Sequence, residues 1–316
     1  MEYRTEVKVS RRGGMEHDSG VMLVGSCFTE RIGERLERLM FRTFMNPTGI
    51  TYNPISIARA LERTIDGTPY DERELEERDG KWFSKEHHGM FDTADRNETL
   101  RLMNERLAEA AKFWKTCQNV VVTMGSSVVY ERGGEIYNNC HKLPGREFSM
   151  RRLTADEIVE SWERILPRME GRRVIMTVSP VRYKGDEAIS NSLNKGTLLI
   201  AVDRLRQKFG FVEYFPAYEI MMDELRDYRF YAEDMIHPSQ LAAEVIFEKF
   251  GETYFTEHAQ KANREIAKLK LMEEHRPMHP ESTEYEKFKL KLYEQKKIVD
   301  SLLGRSDGGN DNGAKQ

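Results

Sequence analysis

Ser26 stands where the chain passes from an apolar run into a helical pattern, a position that suits a nucleophile. It follows Gly25 at the end of residues 21–24, and a helix is predicted from Thr29. Backbone N–H groups at the start of a helix can stabilise negative charge that develops beside such a side chain. A serine here is also an ordinary helix cap, and one short motif does not separate the two roles.

A second group, Asp234 and His237, could supply the base that a serine nucleophile needs. Both lie just before an amphipathic helical pattern over residues 241–250, and Pro238 suits its first position. The spacing allows both side chains to share one turn, where the carboxylate would orient the imidazole and stabilise its protonated form. The alternative interpretation is a helix cap beside a surface histidine.

Alternating strands and helices would have to position these side chains. Five short apolar runs are predicted as strands, at residues 21–24, 41–45, 119–124, 172–178 and 211–215. Helical patterns lie between them, from residue 29 and over 55–64, 98–117, 155–169 and 194–209. This order predicts an α/β fold with a mainly parallel sheet. Ligands bind at the carboxyl ends of such strands, where Ser26 is expected.

Composition and charge exclude several classes of protein. The chain of 316 residues has 49 Lys+Arg against 53 Asp+Glu, a net charge of -4 that argues against a dedicated nucleic-acid binder. Fifteen Phe and 13 Tyr supply a core, which excludes wholesale disorder. Three cysteines are too few for a disulfide scaffold, and neither a signal peptide nor a membrane-spanning run is apparent. We therefore expect a cytoplasmic setting and no contact with a membrane.

The predicted organisation has three parts. Residues 1–255 form the α/β domain, with an insertion at 66–97 that is too long for a crossover loop and could cover the sheet as a lid. Trp82, Phe83 and Phe91 would belong to that lid or form a small core of its own. Residues 256–303 form a charged helical extension that could contact another chain. Residues 304–316 are predicted to be a disordered tail.

Several longer motifs strengthen the functional interpretation. These are Gly25-Ser-Cys-Phe-Thr29, Asn46-Pro-Thr-Gly-Ile-Thr-Tyr-Asn-Pro54, Asn139-Cys-His-Lys142, Thr177-Val-Ser-Pro-Val-Arg182, Tyr214-Phe-Pro-Ala-Tyr-Glu219 and the run from Leu225 to Ser239. On these motifs the chain resembles the GSCFA family over most of residues 1–255, with Thr29 in place of the alanine of the naming motif.

The GSCFA family is in turn similar to the SGNH/GDSL hydrolases. That resemblance implies a flavodoxin-like three-layer sandwich around a central, mainly parallel sheet, followed here by the C-terminal helical extension. It implies Ser26 as nucleophile, His237 as general base and Asp234 as the partner of that base. The reaction it implies is hydrolysis or transfer of carboxylic esters, often acetyl groups on carbohydrates.

The same resemblance implies an oxyanion hole with three donors. These would be the amide of Ser26, a glycine after the second strand and the asparagine of a Gly-x-Asn motif. Gly49, or the backbone of Tyr52 and Asn53, is the candidate for the second donor. Ser127 occupies the position of the asparagine, and Asn53 is a candidate substitute. Losing one such donor costs on the order of 10²–10³ in rate, so this departure bears on activity itself.

Other polar residues carry weaker expectations. Cys27 adjoins Ser26 but is expected to pack rather than to react. His141, Lys142 and Arg182 are candidates for binding an anionic or polyhydroxyl substrate, or else for pairing with acidic loops. His87, His88 and Asp92 have metal-ligand spacing without a further ligand, so no metal site is predicted. No phosphate-binding glycine motif occurs, so no nucleotide cofactor is expected either.

Three functional hypotheses follow. The first is a serine esterase or acyltransferase that acts on a small or glycan-linked acyl ester. The second is a catalytically degenerate relative that binds ligands or serves as a scaffold, which the missing Gly-x-Asn favours. The third is a phosphate or sugar-phosphate binder that uses Lys142 and Arg182. The joint presence of Ser26, Asp234 and His237 favours the first.

Overall fold

The computed structural model describes residues 5–182, 187–278 and 281–305. In chain order its strands and helices are β1 Val21–Gly25, α1 Cys27–Arg38, β2 Thr43–Met45, α2 Pro54–Asp66, β3 Glu76–Arg78, β4 Lys81–Phe83, α3 Arg96–Trp114, β5 Asn119–Met124, β6 Val128–Arg132, β7 Glu135–Tyr137, β8 Ser149–Arg152, α4 Ala155–Ile165, β9 Arg173–Val178, α5 Ala188–Lys208, β10 Val212–Tyr214, α6 Ala217–Glu219, α7 Gln240–Tyr254, α8 Glu257–Glu273 and α9 Thr283–Leu302. Shorter helical turns lie at Glu72–Glu74, Gly89–Phe91, Gly145–Glu147, Leu166–Met169, Ile220–Glu224 and Tyr228–Phe230.

The five predicted apolar runs form one parallel sheet in the order β10-β9-β5-β1-β2. Counted along the chain, these are its fifth, fourth, third, first and second strands, which is the flavodoxin-like order. The direction of winding reverses between β1 and β5, and ligands bind at such a switch point. Gly25 at the end of β1 pairs with Thr123 of β5. Ser26 therefore lies directly beside the end of β5.

Helices cover both faces of the sheet, which explains why its central strands are apolar throughout rather than alternating. Helices α2, α3, α4 and α5 pack on one face around Leu61, Trp162 and Leu198. Helices α1 and α7 pack on the other, where Ile32 and Phe250 are buried. The predicted α/β class and the helix-sheet-helix layering are confirmed.

Some elements were not predicted or begin elsewhere. Two small antiparallel sheets, β3-β4 and β7-β6-β8, lie outside the apolar runs. Helix α5 begins at Ala188 rather than at residue 194. The predicted helix 155–169 is two elements, α4 and the turn Leu166–Met169, because Pro167 lacks the N–H that would continue the helix.

The insertion at 66–97 has a small core of its own against α3. Tyr70, Leu75 and Phe91 are buried there with residues of α3, and Trp82 packs partly against them. Phe83 belongs to a different small cluster, with Tyr137 and Leu143. The aromatic side chains of the insertion therefore anchor it to its surroundings.

The C-terminal extension is a hairpin of α8 and α9. It buries Ile266, Leu269 and Val299 between its helices and packs them against Leu39 and Met40, just after α1. No described helix is long and apolar enough to cross a membrane. Of the predicted tail, residues 306–316 lie outside the described residues.

Candidate functional site

Ser26 precedes α1 but does not cap it. Its backbone is extended, with φ -69° and ψ 175°, and its side chain makes no capping hydrogen bond. By contrast, a side-chain oxygen caps each of α2, α4, α7, α8 and α9. Ser26 is 1% exposed, and its Oγ has no hydrogen-bond partner among the described residues. An unpaired buried hydroxyl costs about 1–3 kcal/mol, so it calls for an explanation such as a ligand.

Two glycines bring the ends of β1 and β5 together around this serine. Gly25 has φ +147°, and a Cβ built on it would lie 2.2 Å from the carbonyl oxygen of Thr123. A Cβ built on Gly125 would lie 3.2 Å from Cβ of Ser26 and 3.1 Å from the ring of Tyr52. The backbone of Gly125 thus passes immediately beside Ser26. A residue larger than glycine at position 25 or 125 would fit only if neighbouring atoms moved.

Asp234 holds His237 in one orientation. Its Oδ2 lies 2.6 Å from Nδ1 of His237, while Oδ1 accepts the backbone N–H groups of Ile236 (2.9 Å) and His237 (3.0 Å). These hydrogen bonds hold the pKa of the Asp234 carboxyl well below its usual range. Because the carboxylate can only accept, Nδ1 must carry a proton, and Nε2 of a neutral ring is then a proton acceptor.

Ser26, Asp234 and His237 line one cavity of about 490 Å³, here called the serine cavity. One wall is largely apolar and comes from β6 and β7, with Val128, Val129, Tyr130 and Tyr137. The side chains of His237 and Asp234 are 47% and 43% exposed. Ser26 Oγ does not hydrogen-bond to His237. Such bonds are often long without substrate and tighten in the complex.

A second cavity of about 420 Å³ is also lined by His237. It shares Cys27, Val181, Asp234 and His237 with the serine cavity and adds Glu30 and other charged residues of α1. His237 therefore borders both cavities.

Three of the four candidates for the oxyanion hole have hydrogen-bond partners elsewhere. The amide of Ser26 donates to Thr123 O (3.2 Å), and the amide of Gly49 donates to Asn46 O (2.9 Å). Gly49 lines a different cavity, beside Met90. Ser127 is fully buried behind the serine cavity, because its backbone N–H and its hydroxyl both bond to Asn194.

Asn53 is the fourth candidate, and it lines the serine cavity. It also caps α2, where Oδ1 accepts Ser56 N (2.8 Å) and Nδ2 donates to Ser56 Oγ (3.0 Å). One of the two Nδ2 protons is thus used inside the cap. For the second, no acceptor lies within hydrogen-bond distance among the residues that the structure describes.

Of the three predicted substrate-binding residues, only Arg182 lines the serine cavity. The side chain of His141 is 1% exposed, and its ring contacts Asp92 Oδ2 (3.0 Å) and Ser84 O (3.0 Å). His141 therefore ties the insertion to the loop after β7. Lys142 is exposed and lines none of these cavities. A turn with positive φ at both residues directs these side chains elsewhere.

The cysteines and the histidines of the insertion do not form a reactive or metal-binding group. Burial raises the pKa of the Cys27 thiol, which disfavours the nucleophilic thiolate. His87 is buried edge-on between Tyr70 and Phe91, and burial lowers its pKa to about 3. In the described part of the chain, no three His, Cys, Asp or Glu side chains are arranged to hold a metal ion.

Sequence reasoning missed two polar residues of α5 that support the site. Asn194 bonds to Ser126 and Ser127, and Lys195 donates from Nζ to the carbonyl oxygens of Gly125 (2.7 Å) and Ser179 (2.9 Å). Both side chains are buried. They lie on the same face of α5 as Leu198 and Leu205, and polar residues at those helical positions were the available signal.

Comparison with known protein families matches residues 20–250 to the GSCFA family. The matched range contains Ser26, Asp234 and His237, and it ends in α7. The comparison with curated proteins gave no match.

Proposed function

The chain belongs to the GSCFA family, and we propose that it is a serine-dependent esterase or acyltransferase. One observation carries the proposal. A buried hydroxyl without a hydrogen-bond partner, Ser26 Oγ, lines the same cavity as an imidazole whose Nδ1 is held by a carboxylate. These are the three side chains that nucleophilic catalysis by a Ser-His-Asp triad requires.

In the proposed reaction, Ser26 Oγ attacks the carbonyl carbon of an acyl ester while Nε2 of His237 takes the hydroxyl proton. The ester C–O bond then breaks, and the protonated imidazole returns the proton to the leaving alcohol oxygen. An acyl group remains on Ser26. Water or an acceptor hydroxyl gives its proton to His237, attacks the acyl carbon and frees Ser26 Oγ, which regains the proton. Asp234 stays ionised throughout and stabilises the imidazolium.

The serine cavity is large enough to enclose an ester of the size of a small organic molecule. A volume of about 490 Å³ is within the range of sites that enclose whole small molecules. The leaving oxygen has to face His237, so the acyl group would extend toward the apolar wall of β6 and β7. An acetyl group and a carbohydrate alcohol are what the resemblance to SGNH hydrolases suggests. Cytoplasmic location and a partner for the C-terminal helices stay predictions.

A binding or scaffold protein is the second candidate. It is favoured by the placement of Gly49 and Ser127 outside the serine cavity, which removes two of the expected oxyanion donors. The third hypothesis, a phosphate binder, loses support because Lys142 does not line the cavity and Arg182 alone does.

The deciding experiment measures aryl-ester hydrolysis and fluorophosphonate labelling of the full chain. We expect both in the wild type, with the label on Ser26, and neither in Ser26→Ala. The matched control is Ser192→Ala, which removes an exposed hydroxyl on α5 and should change neither. Cys27→Ser should retain labelling, which separates the serine from its neighbour. Equal hydrolysis by the wild type and Ser26→Ala would overturn the assignment of Ser26 as nucleophile. No hydrolysis by either would favour the binding protein.

A further inference from the structure

Ser126 is the hydroxyl-bearing residue next to the proposed nucleophile, on the side of β5. It follows Gly125, whose backbone passes beside Ser26, and it lines the serine cavity while only 5% exposed. Its backbone N–H donates to Tyr52 O (3.0 Å), as does that of Gly125 (2.8 Å). The backbone that carries Ser126 is thus fixed against the loop after β2.

Asn194 determines which way the hydrogen bonds of Ser126 run. The backbone N–H of Ser127 can only donate, so the Asn194 atom 2.6 Å from it must be the oxygen Oδ1. The amide nitrogen of Asn194 therefore faces Ser126 Oγ, 3.0 Å away, and can only donate to it. The backbone N–H of Val128 donates to the same Oγ, also at 3.0 Å.

Ser126 Oγ therefore accepts two hydrogen bonds, which occupy both lone pairs of a hydroxyl oxygen. The hydroxyl proton of Ser126 therefore has to point away from both donors, Val128 N and Asn194 Nδ2. Within residues 5–182, 187–278 and 281–305, no acceptor for that proton lies within hydrogen-bond distance, and the residue borders the serine cavity. A hydroxyl arranged in this way is a donor toward the cavity.

The surroundings of this hydroxyl also favour an anion. The buried ammonium group of Lys195 donates to the carbonyl oxygen of Gly125, one residue before Ser126, and Arg182 lines the same cavity. A positive charge in a buried position acts through a low effective dielectric constant. The N-terminus of α1 adds backbone N–H groups beside Ser26.

We infer that the hydroxyl of Ser126 donates to the oxyanion that forms when Ser26 attacks an ester, an inference that rests on the proposed function. Ser127, at the position of the asparagine in Gly-x-Asn, is turned away toward Asn194. The preceding residue, Ser126, takes the donor role. Asn194 on α5 donates a hydrogen bond to Ser126 Oγ and thereby orients the hydroxyl proton of Ser126. Asn53, which also lines the cavity, is the candidate for a complementary donor through its second Nδ2 proton.

The test compares two neighbouring serines. Ser126→Ala and Ser127→Ala each remove a hydroxyl that bonds to Asn194, but only the first removes one from the serine cavity. For Ser126→Ala we expect kcat for aryl-ester hydrolysis to fall by about 10²–10³ with a smaller change in KM, because the donor acts in the transition state. The rate of fluorophosphonate labelling should fall in parallel.

The kcat of Ser127→Ala should stay within a few-fold of the wild type. Ser126→Thr, which keeps the hydroxyl, should recover most of the activity.

The outcomes separate this inference from the function on which it rests. If Ser26→Ala is inactive while Ser126→Ala and Ser127→Ala have equal kcat, Ser126 is not a donor and the esterase proposal stands. If the wild type itself hydrolyses no ester, both fail together. Thermal unfolding of each variant identifies a loss of folding. Should Ser126→Ala not fold, Ser126→Cys, which keeps a side chain of similar size with a weak donor, is expected to show the same fall in kcat.

Discussion

The carboxylate of Asp234 holds His237 by two atoms, the ring nitrogen Nδ1 at 2.6 Å and the backbone nitrogen at 3.0 Å. Both contacts are made within one short loop, because only Met235 and Ile236 separate the two residues. Met235 has φ +58°, which closes the loop tightly. The orientation of the imidazole is thus set by contacts within this loop, and backbone hydrogen bonds from Arg182 and Ala232 hold the loop in place.

Asp234→Asn tests that relationship. The asparagine oxygen can still accept the backbone N–H groups, but its amide N–H₂ cannot accept a proton from Nδ1, so the ring would favour the other tautomer. We expect kcat to fall by about 10⁴, the size of effect known for a triad aspartate, with KM nearly unchanged. Steady-state hydrolysis of an aryl ester measures both.

The matched control for this substitution is Asp227→Asn. Asp227 also accepts a backbone N–H two residues ahead, from Arg229, in an exposed turn. It does not line the serine cavity. Activity should be unaffected there. Retention of wild-type kcat by Asp234→Asn would mean that the carboxylate only shapes the loop.

Gly125→Ala tests the close approach of the backbone to Ser26, the proposed nucleophile. The added Cβ would lie 3.1–3.2 Å from Ser26 Cβ and from the ring and carbonyl of Tyr52, so these groups must move by a few tenths of an ångström. Displacement of a nucleophile by about 1 Å can cost about 10² in rate, so a shift of a few tenths of an ångström should cost less. We expect kcat to fall by up to about tenfold in a folded protein, which circular dichroism would establish.

Gly196→Ala in α5 is the control, since nothing lies within 4 Å of its Cβ position. It should keep full activity and raise the free energy of unfolding by about 0.5–1 kcal/mol, the helix preference of alanine over glycine. If both variants keep wild-type activity, the contact at Gly125 does not position Ser26.

The sequence was sufficient for the parallel sheet and for the pairing of Asp234 with His237, because both follow from local patterns. Apolar runs that end in small residues mark buried strands, and three residues of spacing places two side chains in one turn. The sequence alone did not indicate which of the two serines, Ser126 or Ser127, lines the serine cavity. Neighbouring residues after a strand point in different directions, and only the position of Asn194 on α5 decides which one enters the cavity.

The position of His141 and Gly49 outside the serine cavity could not be predicted for a related reason. The contacts of each lie in the insertion, where His141 meets Asp92 and where a Cβ on Gly49 would strike His88. The insertion packs through long-range contacts with α3 that no periodic pattern encodes. The β6-β7-β8 sheet was missed because its strands are short and only partly buried.

The apolar wall of the serine cavity predicts a preference for acyl groups larger than acetyl. Each buried methylene contributes about 0.8 kcal/mol, so two additional carbons should raise kcat/KM by about tenfold. We expect p-nitrophenyl butyrate to be hydrolysed more efficiently than the acetate. Val128→Phe would narrow the cavity and should remove that advantage while sparing the acetate.

Met150→Phe is the control for the narrowing, because Met150 is 60% exposed on β8, the strand that pairs with β6. The preference for butyrate should persist in it. A wild type that hydrolyses the acetate at least as efficiently as the butyrate would show that the acyl group does not lie against this wall.

His87 predicts a loss of stability in mild acid that is independent of catalysis. Burial lowers the pKa of the folded imidazole to about 3, against an ordinary value of 6.5 for the unfolded chain. Above pH 6.5 the imidazole is neutral in both states, and this residue does not lower the free energy of unfolding. As the pH falls from 6.5 toward 3, the free energy of unfolding decreases progressively, because the unfolded chain binds a proton that the folded chain does not. At pH 5 the loss from this residue is about 2 kcal/mol.

His87→Phe keeps an aromatic ring beside Tyr70 and Phe91 but cannot be protonated, so its free energy of unfolding in urea should fall less between pH 7.5 and pH 5. His275→Gln, at an exposed position just after α8, should behave as the wild type does. An equal pH dependence in His87→Phe and the wild type would mean that the buried imidazole gains its proton in both states together.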